Sequence, residues 1–238
     1  MSKNKQQKFT EMAQFKNVLQ PPIKGLLTKD YKYKGKWNEE IFKNSNPIVL
    51  EIGCGKGEYS VGLAQKYPNK NFLGIDIKGA RIWKGAKRAI ELNLKNVFFL
   101  RTKIDFLVRF FENEEISEIW IPHPDPQPKK PKKRLSSAHF LSIYQNIIKN
   151  NALIHLKTDS HLLHYYTLDM LKANNIETIE EYNDIYDANL ENEITQIQTF
   201  YEQMFLKESS KITYLNFRLN KTLRLINPPT KEIVEYKY

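Results

Sequence analysis

The sequence predicts an α/β fold: a doubly wound, mostly parallel sheet of about seven strands, with one late antiparallel strand. Three observations carry this expectation. Short apolar runs alternate with segments of helical period between residues 48 and 173, and such alternation builds a parallel sheet flanked by helices. A glycine-rich turn closes the first apolar run. The alternation then breaks, and residues 212–219 read as a late strand added antiparallel.

Residues 1–47 are Lys-rich and weakly patterned. They read as a basic arm, mobile when free, ahead of a domain spanning 48–238. Residues 48–52 form a short apolar run stopped by glycines, the mark of a buried strand. Residues 59–66 follow as a helix, 71–75 as a second strand, and 80–92 as a helix with apolar positions at helical spacing. Residues 97–100 give a third strand and 106–111 a helix. Residues 118–121 give a fourth strand, ended by a cluster of prolines. Residues 140–148 are helical, 152–156 a fifth strand and 162–173 a helix.

The chain of 238 residues is long enough for one sizeable α/β domain and short for two. It has no apolar run near the ~20 residues that span a bilayer. Its start, MSKNKQQKF, lacks the apolar stretch of a secretory signal. The single cysteine, Cys54, cannot form an internal disulfide, so a reducing cytoplasm is the expected compartment. The formal charge is +10 and unevenly spread. Residues 1–150 carry 28 basic and 14 acidic side chains, and residues 151–238 carry 9 and 13. A one-sided basic surface suits a polyanion, and a nucleic acid is the simplest one. The five histidines show no metal-ligand spacing, so no metal is expected.

The strongest local signal is VLEIGCGKGEYS, residues 49–60. Gly53, Gly55 and Gly57 follow the first strand and open a helix, where glycine lets the backbone turn tightly and approach a ligand. The third glycine of a dinucleotide fingerprint is missing, because residue 58 is Glu58. Asp76 ends the second strand, placed to accept both ribose hydroxyls of an adenosine or to cap the next helix. Glu51 lies under the turn, orienting it or reaching a ligand ammonium. The spacing E-x-G-x-G-x-G resembles the first motif of Rossmann-like methyltransferases, which implies S-adenosylmethionine as cofactor.

The fourth strand runs into IPHPDPQPKKPKKRL, residues 121–135. Ligands of open α/β sheets bind at the carboxyl ends of strands near the switch in strand order, so Asp125 points toward the transferable methyl group. Lys129, Lys130, Lys132, Lys133 and Arg134 read as phosphate contacts.

From about residue 33 onward the chain resembles the bacterial tRNA (guanine-N7)-methyltransferases. The matching pieces are YKGKWN (33–38), EIGCGKG (51–57), GID (74–76), PDPQPKK (124–130), HLKTD (155–159) and TFYEQMF (199–205). The resemblance implies cofactor binding by Glu51, Asp76 and Asp125, and a catalytic or guanine-orienting role for Asp125. It implies substrate contacts from Lys129, Asp159, Thr199 and Glu202, with guanine 46 of the tRNA variable loop as target, in a monomer or homodimer. The chain departs from the family at Gln127, where an aromatic is usual, in a basic loop shorter by about two residues, and at Lys103, where an acid often stands.

Three rival readings have less support. A methyltransferase for exocyclic amino groups typically carries adjacent prolines and an aromatic after the fourth strand, absent from Pro124–Gln127. A nicotinamide-dependent oxidoreductase conflicts with the glycine spacing and the basic loop. An RNA-binding module without catalysis finds support only in Gln127 and Lys103.

Overall fold

The computed structural model describes residues 4–229, in which eight strands hydrogen-bond into one sheet. In chain order they are β1 (Val18–Leu19), β2 (Ile48–Ile52), β3 (Asn71–Asp76), β4 (Val97–Arg101), β5 (Ile116–Pro122), β6 (Ile148–Thr158), β7 (Thr178–Tyr182) and β8 (Thr213–Leu219). The helices are α1 (Lys5–Met12), α2 (Ile23–Leu26), α3 (Glu58–Lys66), α4 (Gly79–Glu91), α5 (Leu107–Phe110), α6 (Ala138–Gln145), α7 (His161–Ala173), α8 (Glu193–Gln196) and α9 (Phe200–Lys207).

The strand order is β1-β4-β3-β2-β5-β6-β8-β7. Strand β8 pairs antiparallel with both β6 and β7, so it alone runs against the others. This is the Rossmann-like, doubly wound sheet with one late antiparallel strand that the sequence predicts. The strand number is eight rather than about seven, because the two-residue β1 extends one edge.

The order reverses between β2 and β5, which lie side by side. At such a switch the connecting segments depart in opposite directions and leave a crevice at the carboxyl ends. The glycine turn after Ile52 and the proline loop after Pro122 both open onto that crevice.

Two cores sandwich the sheet. Leu50, Ile52 and Ile75 face Leu141, Leu163 and Trp37 on one side. Val49, Phe72 and Phe99 face Val61, Ile82 and Ala86 on the other. Strand β2 is buried along its whole length, the pattern of a central parallel strand. Helix α4 seats Ile82, Ala86 and Ala89 on the sheet at helical spacing.

The described residues before 48, from residue 4 onward, differ from a free arm. Met12, on α1, is 1% exposed and packs with Ile82 and Ala86. Asn17 donates from Nδ2 to the Ala86 carbonyl at 3.0 Å. A π-helical turn, Trp37–Phe42, buries Trp37 fully; its Nε1 donates to the Phe110 carbonyl at 2.8 Å and its ring stacks on Phe111. These anchors are too widely spaced to produce a period in the sequence.

Candidate functional site

The glycine turn is tied to the neighbouring strand. Gly53 and Cys54 both donate their N–H to the Ile75 carbonyl, at 2.8 and 2.9 Å. Asp76 accepts from the Gly55 N–H at 2.9 Å and from the Lys78 N–H at 2.7 Å, one on each oxygen. A carboxylate has about four acceptor positions, so capacity remains for ribose hydroxyls. Gly57 has φ +71°, and a Cβ there would lie 2.6 Å from Phe99 and 3.1 Å from Gly85 Cα. A Cβ on Gly85 would lie 2.6 Å from the Lys56 carbonyl. The turn therefore rests directly on α4, glycine against glycine. At Gly53, an added Cβ would meet nothing within 4 Å, so its open side faces space that a ligand can fill.

Glu51 sits beneath the turn, 4% exposed. Its carboxyl accepts from the Ser60 N–H at 2.7 Å and from the Ser60 hydroxyl. Burial pushes its pKa up to about 8. Cys54 is buried and burial raises its thiol further, which suits a small filler rather than a nucleophile.

A cavity of about 360 Å³ occupies the crevice, bounded among others by Gly53, Asp76, Thr102, Lys103, Asp125 and Gln127. That volume lies within the ~300–1,000 Å³ of typical ligand sites. Lys133 and Phe140 also line it. Asp125 itself is exposed, and its Oδ1 accepts from the Gln127 N–H at 3.0 Å. His123 and Gln127 flank it with φ of 46° and 45°. Side chains other than glycine rarely adopt this region, and such strain gathers where a loop must hold a set shape.

The loop is held from beneath by Arg134. This residue is 3% exposed, donating from Nε to the Pro126 carbonyl at 3.0 Å and from Nη2 to that of Pro128 at 3.5 Å. Its guanidinium also lies over the Tyr166 ring. The sequence groups Arg134 with the phosphate-binding lysines. The structure corrects that assignment: the guanidinium faces inward and braces the loop, while Lys129, Lys130, Lys132 and Lys133 are exposed.

A second cluster adjoins the cavity. His123 Nδ1 lies 3.2 Å from Asp159 and its Nε2 lies 3.3 Å from Glu202. Glu202 is fully buried, with Lys157 Nζ at 2.6 Å and the Tyr186 hydroxyl donating to it at 2.6 Å. Thr199 Oγ1 accepts from the Glu202 N–H at 3.1 Å and Glu202 accepts from the Thr199 N–H at 3.3 Å, a capping box that starts α9. Burial opposes charge on Lys157, Glu202 and His123. It lowers the pKa of Lys157 despite the attraction of Glu202. Burial alone would raise Glu202, but bonds from His123 and the charge of Lys157 carry it below its ordinary value. Burial alone would lower His123, but Asp159 and Glu202 carry it above its ordinary value.

The structure thus brings Gly53, Asp76 and Asp125 to one cavity, with Gly55, Gly57 and Glu51 behind it. It brings Asp159, Thr199 and Glu202 together in the adjoining cluster, and leaves Lys129 on the exposed basic loop. Thr199 and Glu202 point into the protein, and of the three only Asp159 shows an appreciable side-chain surface, 28%. Sequence reasoning missed His123, Lys157 and Tyr186, and gave Arg134 a phosphate-binding role in place of its bracing one. For Lys157 a signal existed: a lysine inside the apolar strand LIHLKT needs a buried partner.

A doubly wound sheet with one antiparallel strand, a glycine turn at the strand switch and a carboxylate ending the next strand define an S-adenosylmethionine-dependent methyltransferase. A family model described as a putative methyltransferase matches residues 45–215. A tRNA (guanine-N(7)-)-methyltransferase of Christiangramia forsetii is 49% identical over 221 residues, covering 92% of this chain and 99% of that one. One from Bacteroides fragilis is 44% identical over 228 residues, covering 96% and 90%. Accordingly, the chain belongs to the tRNA (guanine-N7)-methyltransferase family. Among solved structures, the 16S rRNA methyltransferase KamB superposes with a TM-score of 0.62 at 13% identity, covering 81% of this chain and 97% of that one; the likeness is one of fold. Among the described residues no helix is long and apolar enough to cross a membrane.

Proposed function

We propose that this enzyme methylates N7 of guanine 46 in the variable loop of tRNA. The observation that supports it most is that Gly53, Asp76 and Asp125 border one cavity at the strand switch. The donor-holding turn and the loop that would meet the acceptor are thereby in reach of each other. Membership of the family supplies the acceptor class.

S-adenosylmethionine, when bound, would supply an electrophilic methyl on a sulfonium sulfur. Guanine N7 carries an in-plane lone pair and no hydrogen, so attack needs no prior deprotonation and the product is cationic. The work left to the protein is in-line positioning, worth ~7–11 kcal/mol in favourable cases. Asp76, with acceptor capacity left after its bonds to Gly55 and Lys78, would hold the ribose, and Glu51 sets the turn through Ser60. The carboxylates of the exposed Asp125 and the half-buried Asp159 can accept from guanine N1–H and N2–H₂, which selects guanine over adenine. They also favour positive charge moving onto the base. Glu202 acts behind them: through His123 it fixes Asp159, and through its own N–H bond it holds Thr199 at the start of α9.

N7 lies in the deep major groove of A-form RNA, which side chains cannot read, so the target must be looped out or pulled from its stack. The exposed Lys133 lines the cavity, and the exposed lysines 129, 130 and 132 of the same loop can take the flanking phosphates.

The test is transfer of labelled methyl to unmodified tRNA, followed by mapping of the nucleotide. N7-methylguanine at position 46 is the expected product. A methyl on an exocyclic amine, on another nucleotide, or on none would overturn the assignment.

A further inference from the structure

A second surface feature lies outside the cavity. Helix α9 turns Phe200, Tyr201 and Met204 outward, at 43%, 37% and 43% exposure. Phe200 and Tyr201 meet edge to face, with centroids 5.7 Å apart. Large rings left in water at adjacent positions, on a helix whose Glu202 is fully buried, mark a binding surface more than a packing remnant.

Cations frame these rings. Lys56 Nζ stands 3.1 Å over the Phe200 centroid and 5.9 Å from that of Tyr201, and Arg81 lies 5.5 Å from Tyr201. Lys56 belongs to the glycine turn, between Gly55 and Gly57. With the exposed Lys84 and Arg88 it rims a small cleft of about 210 Å³ between α3 and α4. Burial and the charges of Lys84, Arg81 and Lys8 lower the pKa of Lys56, with Glu58 the acid that partly offsets them. Cations gathered against one another in this way are relieved by an incoming anion.

We propose that Phe200 and Tyr201, framed by Lys56, Arg81 and Lys84, form a stacking platform for a nucleobase of the substrate RNA next to the methylated guanine. The cations take the phosphates of that base and its neighbour. The assignment rests on the RNA methylation proposed above, and it supplies something that reaction needs. A guanine drawn from its stack leaves an adjacent base with an exposed face, and flat rings beside cations replace the lost stacking without regard to sequence. The position fits: Lys56 ties the platform to the glycine turn, and Glu202 ties α9 to His123, next to the Asp125 loop. An acidic protein partner would answer the cations but leave the half-exposed rings without a matching face.

The experiment compares the full chain with Phe200→Ala/Tyr201→Ala, Phe200→Leu/Tyr201→Leu and Phe200→Trp variants, using unmodified tRNA and labelled S-adenosylmethionine. The KM and Kd for tRNA are expected to rise roughly five- to a hundredfold in the alanine pair, the worth of one stacked base. The leucine pair should fail like the alanine pair, Phe200→Trp should bind like the native protein, and the Kd for S-adenosylmethionine should not move. Arg81→Glu/Lys84→Glu, which leaves the rings in place, should lower the salt slope of tRNA binding by roughly 0.7–0.9 for each phosphate no longer neutralised. The native protein's own activity reports on the functional reading: if it makes no N7-methylguanine, both assignments fall. If it does and the alanine pair keeps its tRNA KM, the platform alone falls. Full rescue by the leucine pair would also overturn it, as would native self-association abolished in the alanine pair with tRNA affinity intact.

Discussion

Lys157 Nζ lies 2.6 Å from Glu202 Oε1, and both side chains are wholly shielded from solvent. Lys157 also donates to the carbonyls of Ile194 and Ile197, so one ammonium fastens α8, α9 and the segment between them to strand β6. Removing the lysine leaves Glu202 buried and charged, with only His123 and the Tyr186 hydroxyl to meet it. Lys157→Met should cost ~3–5 kcal/mol, a fall in Tm on the order of 10 °C for a chain of this size. Thermal unfolding checks it, and an unchanged midpoint would mean that the pair does not fasten this segment.

Asp125 accepts one backbone bond, from Gln127, and the structure asks nothing else of it. Asp125→Ala should therefore leave the fold and cofactor affinity nearly unchanged. Methyl transfer should drop on the order of a hundredfold or more, the usual loss when a group placed for transition-state charge is deleted. Calorimetry with S-adenosylmethionine, paired with single-turnover methylation, separates the two effects. Normal turnover would remove Asp125 from the reaction.

Glu51 sets a pH dependence. Its pKa stands at about 8 in the folded chain against 4.5 when unperturbed. Between these values the folded form keeps a proton that the unfolded form has lost, so this group lowers stability as pH rises through the window, with no further change above it. Glu51→Gln should gain stability relative to the native chain between pH 5 and pH 8, as urea unfolding at the two pH values would show. Its affinity for S-adenosylmethionine should fall roughly ten- to a hundredfold if the carboxylate bonds the cofactor ammonium. In the native protein, binding at neutral pH should then release a proton, visible as a buffer-dependent heat.

Arg134 offers a contrast between two lookalike cations. Arg134→Lys loses the forked reach to the Pro126 and Pro128 carbonyls. Turnover should fall about tenfold, in line with a misplaced loop, while the salt slope of tRNA binding stays the same. Lys132→Ala, on the exposed side of the same run, should do the reverse and reduce that slope by roughly 0.7–0.9. Equal slopes in both variants would contradict the inward placement of Arg134.

Gly85 faces the turn closely enough that a methyl group would strike the Lys56 carbonyl at 2.6 Å and Gly57 Cα at 2.9 Å. Gly85→Ala should destabilise by ~1–3 kcal/mol. Because backbone must move, cofactor affinity should drop with it. Denaturation and cofactor titration of the same variant test both, and preserved affinity would show that the turn tolerates displacement.

Strands β2 to β6, the glycine turn and helices α3 to α7 were legible because each rests on a local pattern: a buried apolar run, a close glycine spacing, a 3.6-residue period. Strand β7 was not, since its residues Thr178–Tyr182 alternate between half-buried and exposed and two of the five are glutamates. The Asp125 loop was legible from its prolines. Its support was not, because Arg134 differs from its lysine neighbours only in which way it faces, and that is decided by Tyr166, more than thirty residues away. In the sequence His123 is an ordinary histidine. Its importance comes from two carboxylates on other elements, Asp159 after β6 and Glu202 on α9, which no spacing in the chain links.

The two-residue strand Val18–Leu19 has a protective consequence. It lies alongside Phe99 and Leu100, and the Phe99 N–H donates to the Asn17 carbonyl at 2.8 Å. Without it, β4 would present VFFLR as a naked border, apolar, β-prone and ready to recruit a strand from another molecule. The lysine-rich leader thus serves as a selvedge, closing off the sheet against its own kind.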